Sequence, residues 1–370
     1  MKIQKVNYKT LILSVLFLFF LAACSSTNSN STNSTNSSAT DSGNGGNTQQ
    51  EQGGNDEKAK EKQTVSIGTS SAGSLYNILT VGFADIVSKN TSISASAITT
   101  GGADATLRAI GDGKTDMGMV HTWALRRAYA GEEPFEQKVD VRQVLQGQET
   151  GVYLIARADA GIETPADLKG KRLIGKRPAL KSIDEFTATV LDVYGLTEDD
   201  VKVMQTSETN ETVQALEQGT VDAVVLPGGI ATPQVAQLAQ TTDVVFVKIT
   251  DDKMQEIMNH PNVTNGAFIS VNPAGTYKGQ DEDYPFLTYS TVLAGASSLS
   301  DELVYEIVKG LDENKDQLSA VHASGGAWVA ENSIKNTNFS VPFHPGAIKY
   351  FEEKGIWTDE LQKRQDELLK

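Results

Sequence analysis

The sequence predicts an α/β protein built from two doubly wound lobes with a cleft between them. Strand-like and helix-like segments alternate along most of the chain after residue 63, and such repeated β-α-β units form mostly parallel sheets with covered faces. The chain has 370 residues, which is more than one average domain needs and enough for two. Hydrophobic residues make up 39% of the sequence and can supply two cores.

The first 23 residues have the pattern of an export signal. Three lysines precede an apolar stretch at 10–22. That stretch is short for a membrane span, which needs ~20 residues, and has the length of a signal-peptide core. It ends in Leu21-Ala22-Ala23-Cys24, which resembles the bacterial lipobox. We therefore expect a signal peptide at 1–23, a lipid on Cys24 and a location on the outer face of the bacterial cell membrane. An ordinary signal peptide with an incidental cysteine is the alternative.

Residues 24–63 are expected to be a disordered tether that starts at the lipid anchor. They are rich in Ser, Thr, Asn, Gly and Gln, and offer almost nothing apolar to bury. A flexible segment of this length has a root-mean-square reach of ~35 Å. That reach suits a folded body that must meet a neighbour in the membrane.

The elements of the folded part follow from periodicity and capping residues. Strands are predicted at 64–69, 92–98, 116–121, 141–147, 151–157, 172–175, 201–205, 221–226, 244–249 and 286–295. Helices are predicted at 74–89, at 122–129, at 182–194, at 209–218 and at 232–240. A further helix is predicted to follow Gly102 and run to about residue 112, and a long one to begin near residue 300. Thr164 and Pro165 start a short helix, and Ser182 with Glu185 matches a capping box.

The two runs of β-α-β units set the predicted boundaries. Lobe one is expected at 64–153 plus 272–370, and lobe two at 154–271. The chain is irregular near the crossings at 150–156 and 268–275, so a hinge is expected there.

Several classes of function are disfavoured. The formal net charge of -15 argues against a nucleic-acid partner, because phosphate binding needs a basic face. The four histidines, at 121, 260, 322 and 344, lack the spacing of a zinc site, and no nucleophile is paired with an obvious base. We therefore expect no catalytic residue, metal or cofactor.

Two glycine-containing loops follow predicted strands where open α/β sheets bind ligands. In the first loop the candidate ligand-binding residues are Thr69, Ser70, Ser71, Gly73 and Tyr76. Their hydroxyls and the free N–H groups of the following helix can bind an anion, although a tight turn with a good N-cap explains the same pattern. The second loop contributes Gly101 and Gly102.

A third loop precedes the helix that starts near Ser182. It carries Lys176, Arg177 and Lys181, a basic cluster in a chain that is acidic overall. Arg177 and Ser182 are candidate ligand-binding residues for an anionic solute, and a solvated basic edge is the alternative. Gly228, after the strand at 221–226, is a further candidate.

Four segments resemble the TAXI group of solute receptors of TRAP transporters. They are the loop at 68–76, the segment from Thr100 to Asp116, the Gly-x-x-Asp-Ala stretch at 219–225, and the closing segment at 341–355. Together the resemblance covers most of 64–357. His121 stands where this family often has glutamine, and the loop at 175–182 departs from the family's glycine-rich form.

The resemblance implies a type II periplasmic-binding fold with hinge closure, and delivery to a TRAP membrane subunit. It also implies a small anionic solute, either an acidic amino acid such as glutamate or a carboxylate. It adds His121 to the expected ligand-binding residues. Three other functions stay open: the substrate-binding lipoprotein of an ABC importer, an extracellular enzyme on an α/β scaffold, and a surface sensor or adhesin with a degenerate cleft.

Overall fold

The computed structural model describes residues 63–263 and 267–370. The strands in these residues are β1 (Gln63–Ser70), β2 (Ile93–Gly101), β3 (Met117–His121), β4 (Val141–Arg157), β5 (Arg172–Lys176), β6 (Lys202–Gln205), β7 (Ala223–Gly228), β8 (Val244–Phe246), β9 (Phe268–Asn272) and β10 (Tyr284–Ala296). The predicted signal peptide at 1–23, Cys24 and nearly all of the tether at 24–63 lie outside the described residues.

Helices cover the faces of these strands. They are α1 (Leu75–Asn90), α2 (Ala103–Gly111), α3 (Thr122–Ala130), α4 (Lys181–Val193), α5 (Thr209–Glu217), α6 (Pro233–Thr241), α7 (Asp251–Met258), α8 (Asp301–Asp312), α9 (Lys315–Val321), α10 (Ala330–Ser333), α11 (Pro345–Glu353) and α12 (Asp359–Leu368). None of the helices among the described residues has the length and apolar character needed to cross a membrane.

The strands form one continuous sheet in the order β2-β1-β3-β10-β4-β7-β5-β6, with β9 paired to β10 and β8 paired to β4. The pairs β1–β2, β1–β3, β5–β6 and β5–β7 are parallel, as expected for β-α-β units. We call β1–β3 with α1–α3 and α8–α12 the first half, and β5–β8 with α4–α7 the second half. The predicted fold class, α/β with two doubly wound lobes and a cleft between them, is confirmed.

The long strands β4 and β10 connect the two halves. The sequence predicts two strands at 141–147 and 151–157, but the structure has one strand of 17 residues there. The first part of β4 pairs with β10, and the part from Gly151 onward pairs with β7. In β10, residues 284–288 pair with β9, and residues 291–295 pair with β3. The two strands pair with each other, antiparallel, at the point where they pass from one half to the other, at Thr150–Tyr289 and Gly151–Thr288.

The boundaries given for the two lobes stay a prediction. The change of partners in β4 falls at the expected crossing near 150–156. The return strand β10 changes partners at 288–291, later than the expected crossing at 268–275. Tyr277, Tyr284 and Phe286 pack in a cluster with residues of the second half. Two adjacent aromatic rings, Tyr153 and Phe286, lie 4.8 Å apart at the centre of that cluster.

Three hydrophobic clusters stabilise this arrangement. One lies within the first half, around Phe83 and Trp328, whose rings meet edge to face at 4.8 Å. A second lies in the second half around Tyr153. The third contains residues of both halves, including Trp123 and Phe186. The two halves are therefore joined by shared apolar packing as well as by β4 and β10.

Candidate ligand-binding site

A cavity of about 60 Å³ lies between the two halves at the carboxyl ends of the parallel strands. The first half contributes Ser70, Ser74, Leu75, Tyr76, Ala103, His121 and Trp123 to its lining. The second half contributes Leu180, Ser182, Glu185, Phe186, Thr189, Thr209, Pro227, Gly228, Gly229, Thr232, Gln234, Asn262 and Val263. The strands that connect the halves, β4 and β10, which we call the crossing strands, contribute Thr150, Gly151, Val152, Leu287 and Tyr289. Small-molecule sites often lie in concave positions between two such bodies.

The cavity brings together five of the residues that the sequence selects as ligand-binding candidates. They are Ser70, Tyr76, His121, Ser182 and Gly228. The first three come from the ends of β1 and β3 and the start of α1, and the other two come from the second half. Their contact with a solute stays a prediction.

The other candidates are not among the lining residues of the described chain. They are Thr69, Ser71, Gly73, Gly101, Gly102 and Arg177. Thr69 is buried in β1, and Gly73 has the positive φ of 77° needed in the turn before α1. The remaining four lie where the first half meets the second beside the cavity.

The N-terminus of α1 faces the cavity. Ser74 is its N-cap, and the Ser74 hydroxyl accepts a hydrogen bond from the Asn77 N–H at 3.2 Å. Leu75 and Tyr76 are the first helical residues, so their N–H groups have no intrahelical acceptor. The Tyr76 hydroxyl lies 3.1 Å from the Thr291 hydroxyl, and burial raises the pKa of Tyr76 to about 12. This wall therefore offers neutral hydrogen-bonding groups and the positive end of a helix dipole.

His121 is a neutral donor on the same side of the cavity. It ends β3 and caps α3, where its Nδ1 accepts a hydrogen bond from the Ala124 N–H at 3.3 Å. The proton of the neutral ring therefore sits on Nε2, which lies 3.5 Å from the Ser182 hydroxyl. Burial lowers the pKa of His121 to about 4, so the imidazole is uncharged at pH 7. The ring stacks on Tyr289, with centroids 5.8 Å apart.

Glu185 is the one Asp, Glu, Lys or Arg among the lining residues in the described chain. Its carboxylate is paired with both terminal nitrogens of Arg127 from α3, at 2.9 and 3.1 Å. The Arg127 guanidinium also lies 4.3 Å from the Trp123 ring centroid. Burial raises the pKa of Glu185 to about 7 in spite of this cation. The pair joins the two halves at the edge of the cavity.

The basic loop before α4 does not direct a free cation into the cavity. Lys176 is paired with Glu198 at 2.6 Å, and Lys181 is paired with Asp184 at 3.2 Å. Arg177 is fully buried, and all its hydrogen bonds in the described chain go to protein atoms. The predicted charge attraction between this loop and an anionic solute therefore has no direct geometric support.

The start of α4 differs from the prediction. The capping box proposed for Ser182 is wrong, because α4 begins at Lys181 and no side chain of its own segment caps it. Asp104 of α2 takes that place: its Oδ2 accepts a hydrogen bond from the Lys181 N–H at 2.6 Å. Burial raises the pKa of Asp104 to about 6. The anion at this helix N-terminus is thus a carboxylate of the protein itself.

Sequence reasoning missed several lining residues. Phe186 lies four residues after Ser182 on the same face of α4, so helical periodicity could have found it. Thr209 follows the end of β6, where the strand-end rule applies. Tyr289 lies inside a crossing strand, and Asn262 follows α7 in an irregular segment. No local pattern marks either of the last two.

Three solved structures are among those to which this chain is similar. A binding protein component of an ABC phosphonate transporter from Pseudomonas aeruginosa has 13% identity and a TM-score of 0.49, with 84% of this chain and 100% of that chain covered. MatC from Rhodopseudomonas palustris, with bound malate, has 15% identity and a TM-score of 0.48, with 83% and 99% covered. The periplasmic aliphatic sulphonate binding protein SsuA from Escherichia coli has 13% identity and a TM-score of 0.42, with 83% and 86% covered.

A known protein family matches most of the chain. The NMT1-like family matches residues 67–355, which include the second half, most of the first half, β4, β10 and every residue that lines the cavity. The match also contains all the ligand-binding candidates selected from the sequence. The chain therefore belongs to the NMT1-like family.

Proposed function

We propose that this protein is an extracytoplasmic solute receptor, not an enzyme, that closes its two lobes over a small solute and delivers it to a membrane transporter. The observation that carries the proposal is the cavity between the halves, whose wall is formed by side chains from both. A solute held there is enclosed only while the halves are together. Capture and release would then follow from movement about β4 and β10.

The proposed setting is the outer face of the cell membrane. The lipobox-like sequence before Cys24 supports a lipid anchor, and the polar segment at 24–63 supports a tether to the folded body. We propose a TRAP-type membrane subunit as the partner, on the resemblance of the four segments described above. Membership of the NMT1-like family fits the substrate-binding lipoprotein of an ABC importer as well, so that importer is the alternative partner.

The proposed solute is a small carboxylate, and glutamate is the first candidate. The N-terminus of α1, the hydroxyls of Ser70 and Tyr76 and the Nε2–H of His121 are donors that can bind one carboxylate. Asp104 occupies the N-terminus of α4, so a second carboxylate has no equivalent place there. Recognition by neutral donors and a helix dipole would replace recognition by a free arginine.

Thermal-shift screening of the mature protein against amino acids, carboxylates and sugars tests the receptor function. A solute at 100 times its Kd should add ~2.7 kcal/mol to the free energy of unfolding. Calorimetry would then compare glutamate, glutamine, succinate and a sugar. We expect glutamate and glutamine, which share the α-carboxylate, both to bind, because the cavity has a place for one carboxylate only. Binding of the sugar without binding of either acid would contradict the carboxylate proposal.

A matched pair of variants tests the site itself. Tyr76→Phe removes a hydroxyl at the cavity, and Tyr129→Phe removes a hydroxyl that donates to the Leu368 carbonyl elsewhere in the first half. We expect about a tenfold loss of glutamate affinity for Tyr76→Phe, since one hydrogen bond contributes ~1 kcal/mol or more. Tyr129→Phe should bind like the wild type. Equal affinities for all three proteins would exclude Tyr76 from the site.

A further inference from the structure

The two halves touch along a polar contact beside the cavity, and we call this contact the latch. Its first-half members are Ser71, Gly101, Gly102 and Asp104, and its second-half members are Arg177, Ala179 and Lys181. None of these side chains lines the cavity. The latch therefore joins the halves without forming the wall that a solute would touch.

Arg177 is the centre of the latch. Its Nη2 donates to the Ser71 hydroxyl at 2.6 Å and to the Gly101 carbonyl, both in the first half. Its Nη1 donates to the Thr209 hydroxyl and its Nε to the Ser207 carbonyl at 3.2 Å, both in the second half. Opening of the halves would remove the two first-half acceptors of Nη2 and leave this nitrogen to water and to the Glu208 carboxylate of the second half, 3.7 Å away.

Asp104 forms the second part of the latch. It lies in α2 of the first half, is completely buried, and its Oδ2 caps α4 of the second half through the Lys181 N–H at 2.6 Å. No Lys or Arg lies within ion-pair distance of this carboxylate in the described chain. The helix N-terminus is therefore its main electrostatic partner, and that partner is present only when the halves are together.

The main chains of the two halves also approach closely at this point. A Cβ atom added to Gly102 would lie 2.4 Å from the Ala179 carbonyl oxygen and 3.3 Å from the Leu180 Cβ. Only a residue without a side chain allows this approach. Three independent contacts thus close the same edge of the cleft.

We propose that Arg177 and Asp104 are positioning residues that hold the cleft closed through contacts between protein atoms, whatever solute is inside. The proposal rests on the proposed function, because it assigns the latch a role in retaining a solute. It replaces the expectation that Arg177 binds the solute directly. A latch slows dissociation of every solute by the same factor, whereas a direct cation would act mainly on anions.

Hydrogen exchange of the solute-free mature protein tests the latch without knowledge of the solute. The measured quantity is the protection of the amides in residues 178–184, which include the Lys181 N–H bonded to Asp104. We expect Arg177→Ala and Ser71→Ala to lose protection there. Lys176→Ala is the matched control, because it removes a positive charge from the same loop but only breaks the pair with Glu198. Its protection should equal that of the wild type.

Calorimetry with glutamate and with glutamine completes the test. We expect Arg177→Ala and the milder Ser71→Ala to weaken both solutes by the same factor, about 10- to 100-fold for Arg177→Ala. Unchanged exchange in both variants would overturn the latch, as would a loss confined to glutamate. If neither solute binds the wild type, the proposed solute class fails, and the exchange result still decides the latch. Because Ser71→Ala keeps the buried arginine, it serves even if Arg177→Ala does not fold.

Discussion

Replacement of Gly102 by alanine is a direct way to hold the two halves apart. Gly102 has a φ of 168°, which is extended backbone that alanine adopts without strain. The new Cβ would lie 2.4 Å from the Ala179 carbonyl oxygen, where ordinary contacts begin near 3.4 Å. The halves must therefore separate by about 1 Å at this point. The same shift would lengthen the Asp104–Lys181 hydrogen bond, now 2.6 Å, beyond hydrogen-bonding distance.

The size of the effect follows from the cost of overpacking. Extra methyl groups in well-packed positions cost about 1–3 kcal/mol, and here that cost falls on the closed form alone. Glutamate affinity should therefore decrease by about 5- to 150-fold. The decisive measurement is the radius of gyration with saturating glutamate, which should be larger for Gly102→Ala than for the wild type.

Gly111→Ala is the appropriate control for this experiment. Gly111 ends α2, the helix that follows Gly102, and its added Cβ would lie 3.2 Å from a Val139 side chain within the first half. It adds the same methyl group but does not separate the halves, so its affinity should match that of the wild type. If Gly102→Ala binds glutamate as tightly as Gly111→Ala and scatters identically, the close approach at Ala179 does not limit closure.

Three other changes have defined outcomes. The pKa values of Asp104 (about 6, from 3.8) and Glu185 (about 7, from 4.5) are raised by burial, so their contributions to stability are full below pH 4 and are lost as the pH rises through 6 and 7. Asp104→Asn should therefore flatten the pH dependence of the melting temperature between pH 4 and 6. An unchanged slope would mean that the pKa of Asp104 is not raised by burial. Gly147→Ala should lower the free energy of unfolding in urea by about 1–3 kcal/mol, because its Cβ would overlap the Trp328 ring; an unchanged midpoint would mean that the ring can move. Cys24→Ala should abolish lipid labelling and release the body or leave it unprocessed, and labelling as in the wild type would refute the anchor.

Local patterns predict most of the fold of this protein. The apolar spacing after Ser74 predicts α1 to within a residue at each end, and Thr164 with Pro165 predicts the short turn that the structure shows at Pro165–Leu168. These features depend on neighbours close in the chain, so periodicity and capping rules apply. The strand-end rule likewise selects Ser70, the family resemblance selects His121, and both residues line the cavity.

Contacts between distant segments could not be predicted in the same way. The sequence shows that Arg177 lies between a strand and a helix, but its acceptors Ser71 and Gly101 precede it by 106 and 76 residues. The capping box predicted at Ser182 is wrong for the same reason, since Asp104 of another helix accepts the hydrogen bond from the Lys181 N–H. The basic residues of this loop therefore indicated a functionally important position, but the sequence did not show that Arg177 binds acceptors of the first half.

The pairing of β4 with β10 at Thr150–Tyr289 and Gly151–Thr288 has a mechanical consequence. Two hydrogen-bonded strands side by side resist sliding and in-plane shear, so the easiest deformation of the connection is bending across the ribbon. Thr150, Gly151 and Tyr289 also form part of the cavity wall, so a solute bound as proposed above would lie at the pivot. A small rotation about β4 and β10 moves the outer edges of the two halves by a much larger distance, because they lie farther from these strands. Under the proposed function, a membrane transporter that contacts both outer edges would respond to the distance between them and not to the solute directly.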